Sequence, residues 1–348
     1  MELKHSNITP SNGTRIATAE LKPSDAPAAV VGLGLMGKSM IACLLAAGHP
    51  VIGFTRDPDK HRDTPARIRA LLEEMQQEGL LDKDVDTILK HFQLSADYSD
   101  LSDRSIVFES IVENLRLKKE TISRIEAAVS DKAVIGSNTS AIPVALLQDG
   151  AAHPDRILGI HWGEPAHVSR FLEVICGPQS NILYAEYVVG LAQFWGKEPT
   201  LVKRDVRGFI TNRLMYALIR EALYLVEAGY ATCGDVDRSF RNDLGYWATF
   251  AGPFRFMDIT GIKAYATVME DLFPDLNCSK DVPELMKRMV ESGAEGIRNA
   301  KGFYQYTPEE AARWEKLFLK FSYEIRALAA KYPSDIGSIP VETPAEVI

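Results

Sequence analysis

Two titratable side chains stand inside otherwise apolar stretches of the sequence. His161 ends the run Ile157-Leu-Gly-Ile-His161, and Glu173 lies within Phe171-Leu-Glu-Val-Ile-Cys176. Burying a carboxylate in an apolar strand is costly unless it is paired, and His161 is the nearest plausible partner. A carboxylate that orients a histidine makes it more basic and suits it to proton transfer. The pattern predicts a His161–Glu173 acid–base pair. A satisfied core histidine and a solvent-facing carboxylate on an edge strand are the alternatives.

The segment Ser137-Asn-Thr-Ser140 carries hydroxyl and amide groups directly after the apolar run 133–136. We expect that run to form a strand, so these polar side chains lie at its carboxyl end. Open α/β sheets bind their ligands at that edge. The sequence therefore predicts that this segment lines a ligand site.

A glycine-rich turn joins an apolar strand to an apolar-faced helix, and it consists of Gly32, Leu33, Gly34, Leu35, Met36 and Gly37. In such a turn the first glycine allows the sharp bend, the second lets backbone approach a pyrophosphate, and the third lets the helix pack on the sheet. The helix N-terminus offers N–H groups and partial positive charge to phosphates. Because a second strand follows at 51–55, we expect a dinucleotide site rather than a glycine turn of an unrelated sheet.

Composition and charge exclude several classes of function. The net charge of −8 and the scattered basic residues argue against nucleic acid or an anionic membrane as a partner. Cys43, Cys176, Cys233 and Cys278 lie far apart without metal-ligand spacing, so we expect no metal site and reduced thiols in a cytoplasmic protein. No apolar run approaches the roughly 20 residues of a membrane span. The N-terminus also lacks the pattern of a secretory signal.

The order of apolar runs predicts an α/β fold followed by helices. Strand and helix signals alternate up to about residue 204, which indicates a mainly parallel, doubly wound sheet of the Rossmann type. Beyond that point only helices are predicted, over 209–228, 232–244, 253–274, 283–292 and 308–330. A chain of 348 residues exceeds what one core usually holds. We therefore predict an N-terminal extension over 1–26, a dinucleotide-binding Rossmann domain over 27–206 and an all-α domain over 207–348.

Further motifs follow one another in order up to about residue 306. They are Glu109-Ser-Ile-Val-Glu-Asn-Leu-Arg-Leu-Lys-Lys-Glu120, Gly159-Ile-His161, Leu172-Glu-Val-Ile175, Gly196-Lys197, Gly208-Phe-Ile-Thr-Asn-Arg-Leu214 and Gly302-Phe-Tyr304. With the glycine turn and the 137–140 segment, they make the chain resemble the 3-hydroxyacyl-CoA dehydrogenases. The relatives of that family include lambda-crystallin (L-gulonate 3-dehydrogenase) and carnitine 3-dehydrogenase. The resemblance implies a Rossmann domain that binds NAD, followed by a helical domain that forms a homodimer.

The resemblance also implies a role for individual residues. His161 matches the catalytic histidine and Glu173 its carboxylate partner. The residues matching those near the substrate oxygens are Ser140 and Asn212, and those matching residues near the nicotinamide are Glu113 and Lys118. In the implied mechanism, neutral His161 takes the proton of the substrate 3-hydroxyl while a hydride leaves C3 for the nicotinamide.

The end of the second strand departs from the family pattern, which normally has an aspartate that binds the adenine ribose. Here Thr55 takes that position and Arg56 follows. A hydroxyl beside a guanidinium suits a ribose 2′-phosphate, so these residues favour NADP while the family favours NAD. Alternatively, Arg56 stacks on the adenine or lies in solvent, and Asp57 reaches the ribose. We expect NAD, with NADP open.

Glu164 is a second departure, because the family usually carries Asn-Pro where this chain has Glu164-Pro165. A carboxylate close to the base would repel an acidic substrate, or would receive a cationic or polyhydroxylated one. It is equally compatible with a surface loop that has no substrate role.

Three functions remain after these arguments. The first is a dehydrogenase of L-3-hydroxyacyl-CoA thioesters, as in fatty acid metabolism. The second is a dehydrogenase of a free polar 3-hydroxy acid, as in the gulonate and carnitine branches. The third is a non-catalytic nucleotide-binding protein, such as a crystallin or a redox sensor; the presence of Ser140, His161, Glu173 and Asn212 together speaks against it.

Overall fold

The computed structural model describes residues 21–332, and its first part is built on one eight-stranded sheet. The strands are β1 (Ala28–Val31), β2 (Val51–Phe54), β3 (Phe92–Ser95), β4 (Ile106–Glu109), β5 (Val134–Ser137), β6 (Ile157–Trp162), β7 (Phe171–Cys176) and β8 (Glu198–Val202). Their order across the sheet is β3-β2-β1-β4-β5-β6-β7-β8. Every neighbouring pair is parallel except β6 and β7, which are antiparallel.

Six helices accompany these strands along the chain. They are α1 (Leu35–Ala47), α2 (Thr64–Gln77), α3 (Val85–Leu89), α4 (Leu115–Ala128), α5 (Val144–Gln148) and α6 (Ile182–Phe194). The alternation along β1 shows how the sheet is covered on both faces. Ala28 and Val30 belong to one core cluster, whereas Ala29 and Val31 belong to the other. Because both faces of the sheet are packed, the sequences of the central strands are continuously apolar. The predicted doubly wound sheet is thus confirmed.

The order in which strands are added to the sheet reverses at β1: β2 and β3 lie on one side of it, and β4 and the later strands lie on the other. Strand β1 pairs with β2 on one side and with β4 on the other. Such a reversal opens a crevice at the carboxyl ends of the two central strands, where doubly wound sheets bind ligands. The glycine turn follows β1 directly, so it lies at this crevice.

The two edge strands, β3 and β8, are not predicted from the sequence. Phe92 and Leu94 of β3 are half-buried and Gln93 is exposed, so the strand lacks a long apolar run. Strand β8 contains Pro199, which is confined to sheet edges because it has no N–H to donate. Helix α2 begins at Thr64, and Asp63 occupies its N-cap position.

The chain separates into two compact units, of which the second begins at Ile210, close to the predicted boundary near residue 206. This unit is helical: α7 (Thr211–Glu227), α8 (Cys233–Asn242), α9 (Leu244–Ala248), α10 (Pro253–Thr260), α11 (Ile262–Leu272), α12 (Glu284–Glu291) and α13 (Pro308–Ala330). The predicted helix 253–274 is divided at Gly261, whose φ of 107° is not helical. The all-α second part is thus confirmed.

The predicted N-terminal extension over 1–26 is partly integrated into the fold. Pro23 and Ala26 are buried, and the Ala26 carbonyl accepts a hydrogen bond from His49. The earlier residues, 1–20, lie outside the described part of the chain, as do 333–348 of the predicted helical domain. No helix among residues 21–332 is both long and apolar enough to cross a lipid bilayer.

Candidate active site

The glycine turn after β1 has the geometry of a phosphate-binding turn. Gly32 has a φ of 108°, and a Cβ there would lie 2.4 Å from the carbonyl oxygen of Ser110. At Gly37 a Cβ would lie 1.9 Å from the carbonyl oxygen of Gly32, so only glycine lets α1 begin so close to β1. Gly34 differs, because a Cβ there would meet nothing within 4 Å. Its backbone borders open space at the N-terminus of α1, which suits an approaching pyrophosphate.

A cavity of about 370 Å³ extends from this turn along the carboxyl ends of β1, β2 and β4. Its walls include Gly32, Leu33 and Gly34 from the turn and Ser110, Ile111 and Val112 from the segment after β4. The other two residues of the turn differ in exposure, since Leu35 is largely exposed and Met36 packs partly against the core. The cavity lies at the topological switch point, where a Rossmann sheet binds a dinucleotide.

The residues after β2 form one end of the cavity. Thr55 is 8% exposed and lines it, as do Arg56 and Asp57. The Asp57 carboxylate forms a salt bridge of 2.9 Å with Lys60 and accepts a hydrogen bond from the Lys60 amide. The hydrogen bond from Lys60 lowers the pKa of Asp57. The acidic group next to the ribose position is therefore already paired within the protein.

The predicted pair of His161 and Glu173 is brought together by the antiparallel pairing of β6 and β7. The two residues are direct partners in the register, and Nδ1 of His161 lies 3.0 Å from Oε2 of Glu173. The Glu173 side chain is 1% exposed and that of His161 is 12% exposed. The rings of Phe171 and Phe209 lie against the imidazole at centroid distances of 5.3 and 5.9 Å. A buried carboxylate thus fixes the orientation of a histidine that remains partly accessible.

Asn138 links the end of β5 to the end of β6. Its Oδ1 accepts a hydrogen bond of 2.9 Å from the amide of Trp162, and its Nδ2 donates to Oγ of Ser110 at 3.2 Å. Asn138 therefore holds the residue next to His161 and the wall of the dinucleotide cavity at the same time. The 137–140 motif marks Asn138 as a candidate site residue, whereas these two contacts appear only in the folded chain.

Glu113 fixes the turn that carries Ser140. Its Oε1 accepts hydrogen bonds from the hydroxyl of Thr139 and from the amides of Ser140 and Ala141. Burial raises the pKa of Glu113, but the hydrogen bond from Thr139, the charge of Lys118 and the Ala141 amide together lower it below its ordinary value. Glu113 is thus ionised at neutral pH and positions the exposed Ser140 at the same edge of the sheet as His161.

Lys118 has no access to solvent and lies beneath this turn. Its Nζ is 2.8 Å from Oε1 of Glu109 and 3.4 Å from Oε2 of Glu113. Glu109 is also fully buried and accepts a second hydrogen bond from the hydroxyl of Ser137. The resemblance implies that Lys118 lies near the nicotinamide, and this stays a prediction; in this geometry its charge also acts on Glu113.

The remaining predicted site residues are Glu164 and Asn212. Glu164 is an exposed loop residue two positions beyond β6, and its role toward substrate stays a prediction. Asn212 belongs to the second unit, at the start of α7, and its approach to a substrate oxygen also stays a prediction. Two residues missed from the sequence, Tyr98 and Arg124, line the same cavity as Thr55. No local motif marks either of them.

Family models match nearly the whole of the described chain. The model described as 3-hydroxyacyl-CoA dehydrogenase, NAD binding domain, matches residues 27–206, and the one described as its C-terminal domain matches residues 208–306. The chain belongs to the 3-hydroxyacyl-CoA dehydrogenase family. This confirms the family resemblance and the prediction of a dehydrogenase that acts on a CH–OH group. The NAD-binding assignment of the first domain supports NAD as a cofactor.

Individual relatives of this family member differ in the activities for which they are named. It is 30% identical over 286 residues to 5-formyl-3-hydroxy-2-methylpyridine 4-carboxylate 5-dehydrogenase of Mesorhizobium japonicum, covering 81% of this chain and 91% of the relative. It is 30% identical over 282 residues to 3-hydroxybutyryl-CoA dehydrogenase of Mycobacterium tuberculosis, covering 80% of this chain and 97% of the relative.

Solved structures show the same two kinds of relative. A crystal structure of the pyridine carboxylate dehydrogenase, titled an NAD+ dependent dismutase, gives a TM-score of 0.81 at 28% identity, covering 88% of this chain and 99% of that one. The (S)-3-hydroxybutyryl-CoA dehydrogenase of Ralstonia eutropha gives 0.69 at 26% identity, covering 82% and 100%.

Proposed function

We propose that this family member oxidises the C3 hydroxyl of an L-3-hydroxyacyl-CoA, or reduces the ketone in reverse, with His161 as the acid–base group. The observation that carries the proposal is the contact of 3.0 Å between Nδ1 of His161 and the buried Glu173 carboxylate. Because Nδ1 is engaged by Glu173, Nε2 is the nitrogen that faces the substrate in this proposal. A histidine oriented in this way is suited to take a proton from an alcohol.

The proton moves between the substrate oxygen and Nε2 of His161. When the alcohol is oxidised, His161 accepts the hydroxyl proton and Glu173 stabilises the imidazolium that forms. When the ketone is reduced, the same imidazolium protonates the alkoxide. Because Glu173 is 1% exposed, water competes little for its charge, and its effect on the imidazolium is correspondingly strong.

In this proposal Ser140 donates a hydrogen bond to the substrate oxygen on which charge changes, and the family resemblance assigns the same role to Asn212. Glu113 and Asn138 act as positioning residues, since they hold the Ser140 turn and the backbone beside His161. A nicotinamide dinucleotide, when bound in the crevice, supplies the hydride acceptor. The open backbone at Gly34 and the N-terminus of α1 fit its pyrophosphate.

A free polar hydroxy acid is the second candidate substrate. It is favoured by the higher TM-score to the pyridine carboxylate dehydrogenase, 0.81 against 0.69 for the hydroxybutyryl-CoA enzyme. Glu164, three residues after the base in sequence, would favour a substrate with a cationic or hydroxylated group close to the base. In the non-catalytic alternative, the His161–Glu173 pair would have no function.

A substrate panel distinguishes these candidates. The purified protein is assayed by dinucleotide absorbance with 3-hydroxyacyl-CoAs of increasing chain length, the matching free acids, carnitine, gulonate and hydroxymethyl pyridine carboxylates. Faster turnover of a CoA thioester than of its free acid supports the first candidate. The reverse preference supports the second. Absence of turnover with every substrate and both dinucleotides would overturn the proposed function.

We also propose a homodimer formed through the second unit, in the cytoplasm. Helices α7 and α13 bear large apolar side chains that this chain leaves exposed, including Leu214 at 60%, Tyr216 at 62% and Phe318 at 58%. Helix α13 has 23 residues, of which only Ala311 and Tyr323 are buried. A helix of this kind is stabilised chiefly by packing, so a second copy would supply the missing surface.

A further inference from the structure

Two arginines line the same cavity as the glycine turn. Arg56 follows Thr55 after β2, and Arg124 projects from α4; both line the cavity. Tyr98 lines the cavity with them, and its ring packs on Phe54 with a centroid distance of 4.2 Å. Burial raises the pKa of the Tyr98 hydroxyl, and the nearby charges of Arg124 and Arg56 partly offset that effect. The two guanidinium groups therefore lie near the hydroxyl of one half-buried tyrosine.

The positive charge of these arginines is not neutralised within the described chain. Among residues 21–332 neither Arg56 nor Arg124 forms a salt bridge with a carboxylate. The two carboxylates that also line the cavity are engaged elsewhere, Asp57 with Lys60 at 2.9 Å and Glu120 with Arg116 at 3.0 Å. A cavity wall with two uncompensated guanidiniums favours a dianion.

The neighbouring residues suit a phosphate better than a bare ribose diol. A diol is recognised by an acidic side chain at the end of β2, but this position holds the hydroxyl of Thr55. His61 also lines the cavity, and its Nδ1 is buried without a hydrogen-bond partner among the described residues. The cavity wall thus offers hydroxyl, imidazole and guanidinium groups, and guanidinium groups bind phosphate oxygens through charge-assisted, often bidentate hydrogen bonds.

We propose that Arg56 and Arg124, with Thr55 and His61, form a binding site for the 2′-phosphate of NADP. This inference rests on the proposed function, in which the crevice holds a nicotinamide dinucleotide. It deepens that function, because it predicts that the protein binds NADP at least as tightly as NAD. The arginine in α4 supplies the second charge that the sequence motif at Thr55-Arg56 alone does not contain.

The test measures binding in the absence of substrate. The whole protein is titrated calorimetrically with NADP+, NAD+, adenosine 2′-phosphate and adenosine 5′-phosphate. Arg56→Ala and Arg124→Ala are compared with Arg67→Ala, which removes an exposed guanidinium from α2 outside the cavity wall. We expect each of the first two variants to lose about tenfold or more in affinity for NADP+ and adenosine 2′-phosphate, and less than about threefold for NAD+. Arg67→Ala should change neither.

The outcomes separate this inference from the proposed function. Tight binding of NAD+ with weak binding of NADP+, unchanged in both arginine variants, would overturn the 2′-phosphate site alone. Equal losses for NAD+ and NADP+ would also overturn it, because they would show that the arginines contact the adenine or the pyrophosphate. Failure of the parent protein to bind either dinucleotide would overturn the proposed function and this inference together.

Discussion

His161 and Glu173 are direct partners across the antiparallel strands β6 and β7, and their side chains meet at 3.0 Å. Partners in an antiparallel register project from the same face of the sheet, so the backbone pairing itself brings the two side chains together. Strand β7 is parallel to β8, which continues the sheet on its other side. The one antiparallel pair in the sheet is therefore the pair that builds the proposed acid–base group.

Replacing Glu173 by glutamine tests whether its charge matters. Glu173→Gln keeps the size of the side chain but removes the charge and allows an amide N–H to face Nδ1 of His161. The imidazolium loses its stabilisation and the histidine adopts an unsuitable tautomer, so kcat should fall by roughly tenfold or more. For alcohol oxidation, the acid limb of the kcat/KM profile should move to lower pH.

The control for this experiment is Glu78→Gln, which neutralises an exposed carboxylate at the end of α2. It should leave both kcat and the pH profile unchanged. A Glu173→Gln enzyme with the parent's pH profile and rate would mean that Glu173 only fills space beneath the histidine.

Gly34 and Gly37 should respond differently to the same substitution. Gly34 has a φ of −70° and open space around its Cβ position, so Gly34→Ala should fold normally. The added methyl group would occupy the space of the pyrophosphate, and dinucleotide affinity should fall by about tenfold or more. Gly37→Ala would place Cβ 1.9 Å from the Gly32 carbonyl oxygen and should lower the melting temperature instead.

Thermal unfolding and calorimetric titration of the two variants check this prediction. If Gly34→Ala binds a dinucleotide as tightly as the parent, the pyrophosphate does not approach this turn. A Gly37→Ala protein as stable as the parent would show that α1 can move away from β1.

The sequence predicts the role of a site residue only where the residues adjacent to it in the chain indicate that role. Glu173 could be found because a carboxylate in an apolar strand needs a partner, and the glycine turn because three positions share one geometric demand. The role of Asn138 needed the structure, since its acceptor contact with the amide of Trp162 joins two strands. Tyr98 and Arg124 could not be found, because the segment after strand β3 and helix α4 bring them to one cavity only after folding.

The same reasoning explains the errors in the fold. Strand β8 contains Pro199 and lies at a sheet edge, where the apolar pattern is weak. In the second unit the helical spacing of apolar residues predicts the helices well, but it does not predict that the helix over 253–274 is divided at Gly261. A glycine inside an apolar-periodic stretch has the same sequence pattern whether its φ is helical or positive.

His49 should make the stability of the first unit sensitive to acid. It is fully buried, its Nδ1 lies 2.7 Å from the Ala26 carbonyl, and its Nε2 accepts a hydrogen bond of 2.8 Å from Nε1 of Trp195. Burial lowers the pKa of His49, although the Ala26 contact opposes that effect. Protonating Nε2 would point two N–H groups at each other, so the folded state holds the neutral form.

The unfolded chain protonates His49 near pH 6.5, whereas the folded chain does not. As the pH falls below about 6.5, His49 should therefore lower the free energy of unfolding by about 1.4 kcal/mol per pH unit, until the pKa of His49 in the folded state is reached. Urea unfolding between pH 7.5 and 5.5 should show a steeper loss for the parent than for His49→Gln. The exposed control, His91→Gln, should keep the parent's slope. Equal slopes for the parent and His49→Gln would contradict this account.

The second unit should be buried in a dimer. Leu214 and Tyr216 on α7 and Phe318 on α13 are each more than half exposed, and a cluster of exposed apolar side chains marks an interaction surface. Light scattering at micromolar concentration should give about twice the chain mass of 38.5 kDa. A mass of a single chain under these conditions would contradict the proposed homodimer.

The central claim is that His161 transfers the proton during alcohol oxidation, and the kcat of His161→Gln tests it most directly. The variant removes the base, so kcat should fall by on the order of 10² or more, while dinucleotide affinity measured by calorimetry stays within about threefold of the parent. His153→Gln makes the same change at an exposed histidine and should retain full activity. A His161→Gln enzyme with the kcat of the parent would contradict the mechanism outright.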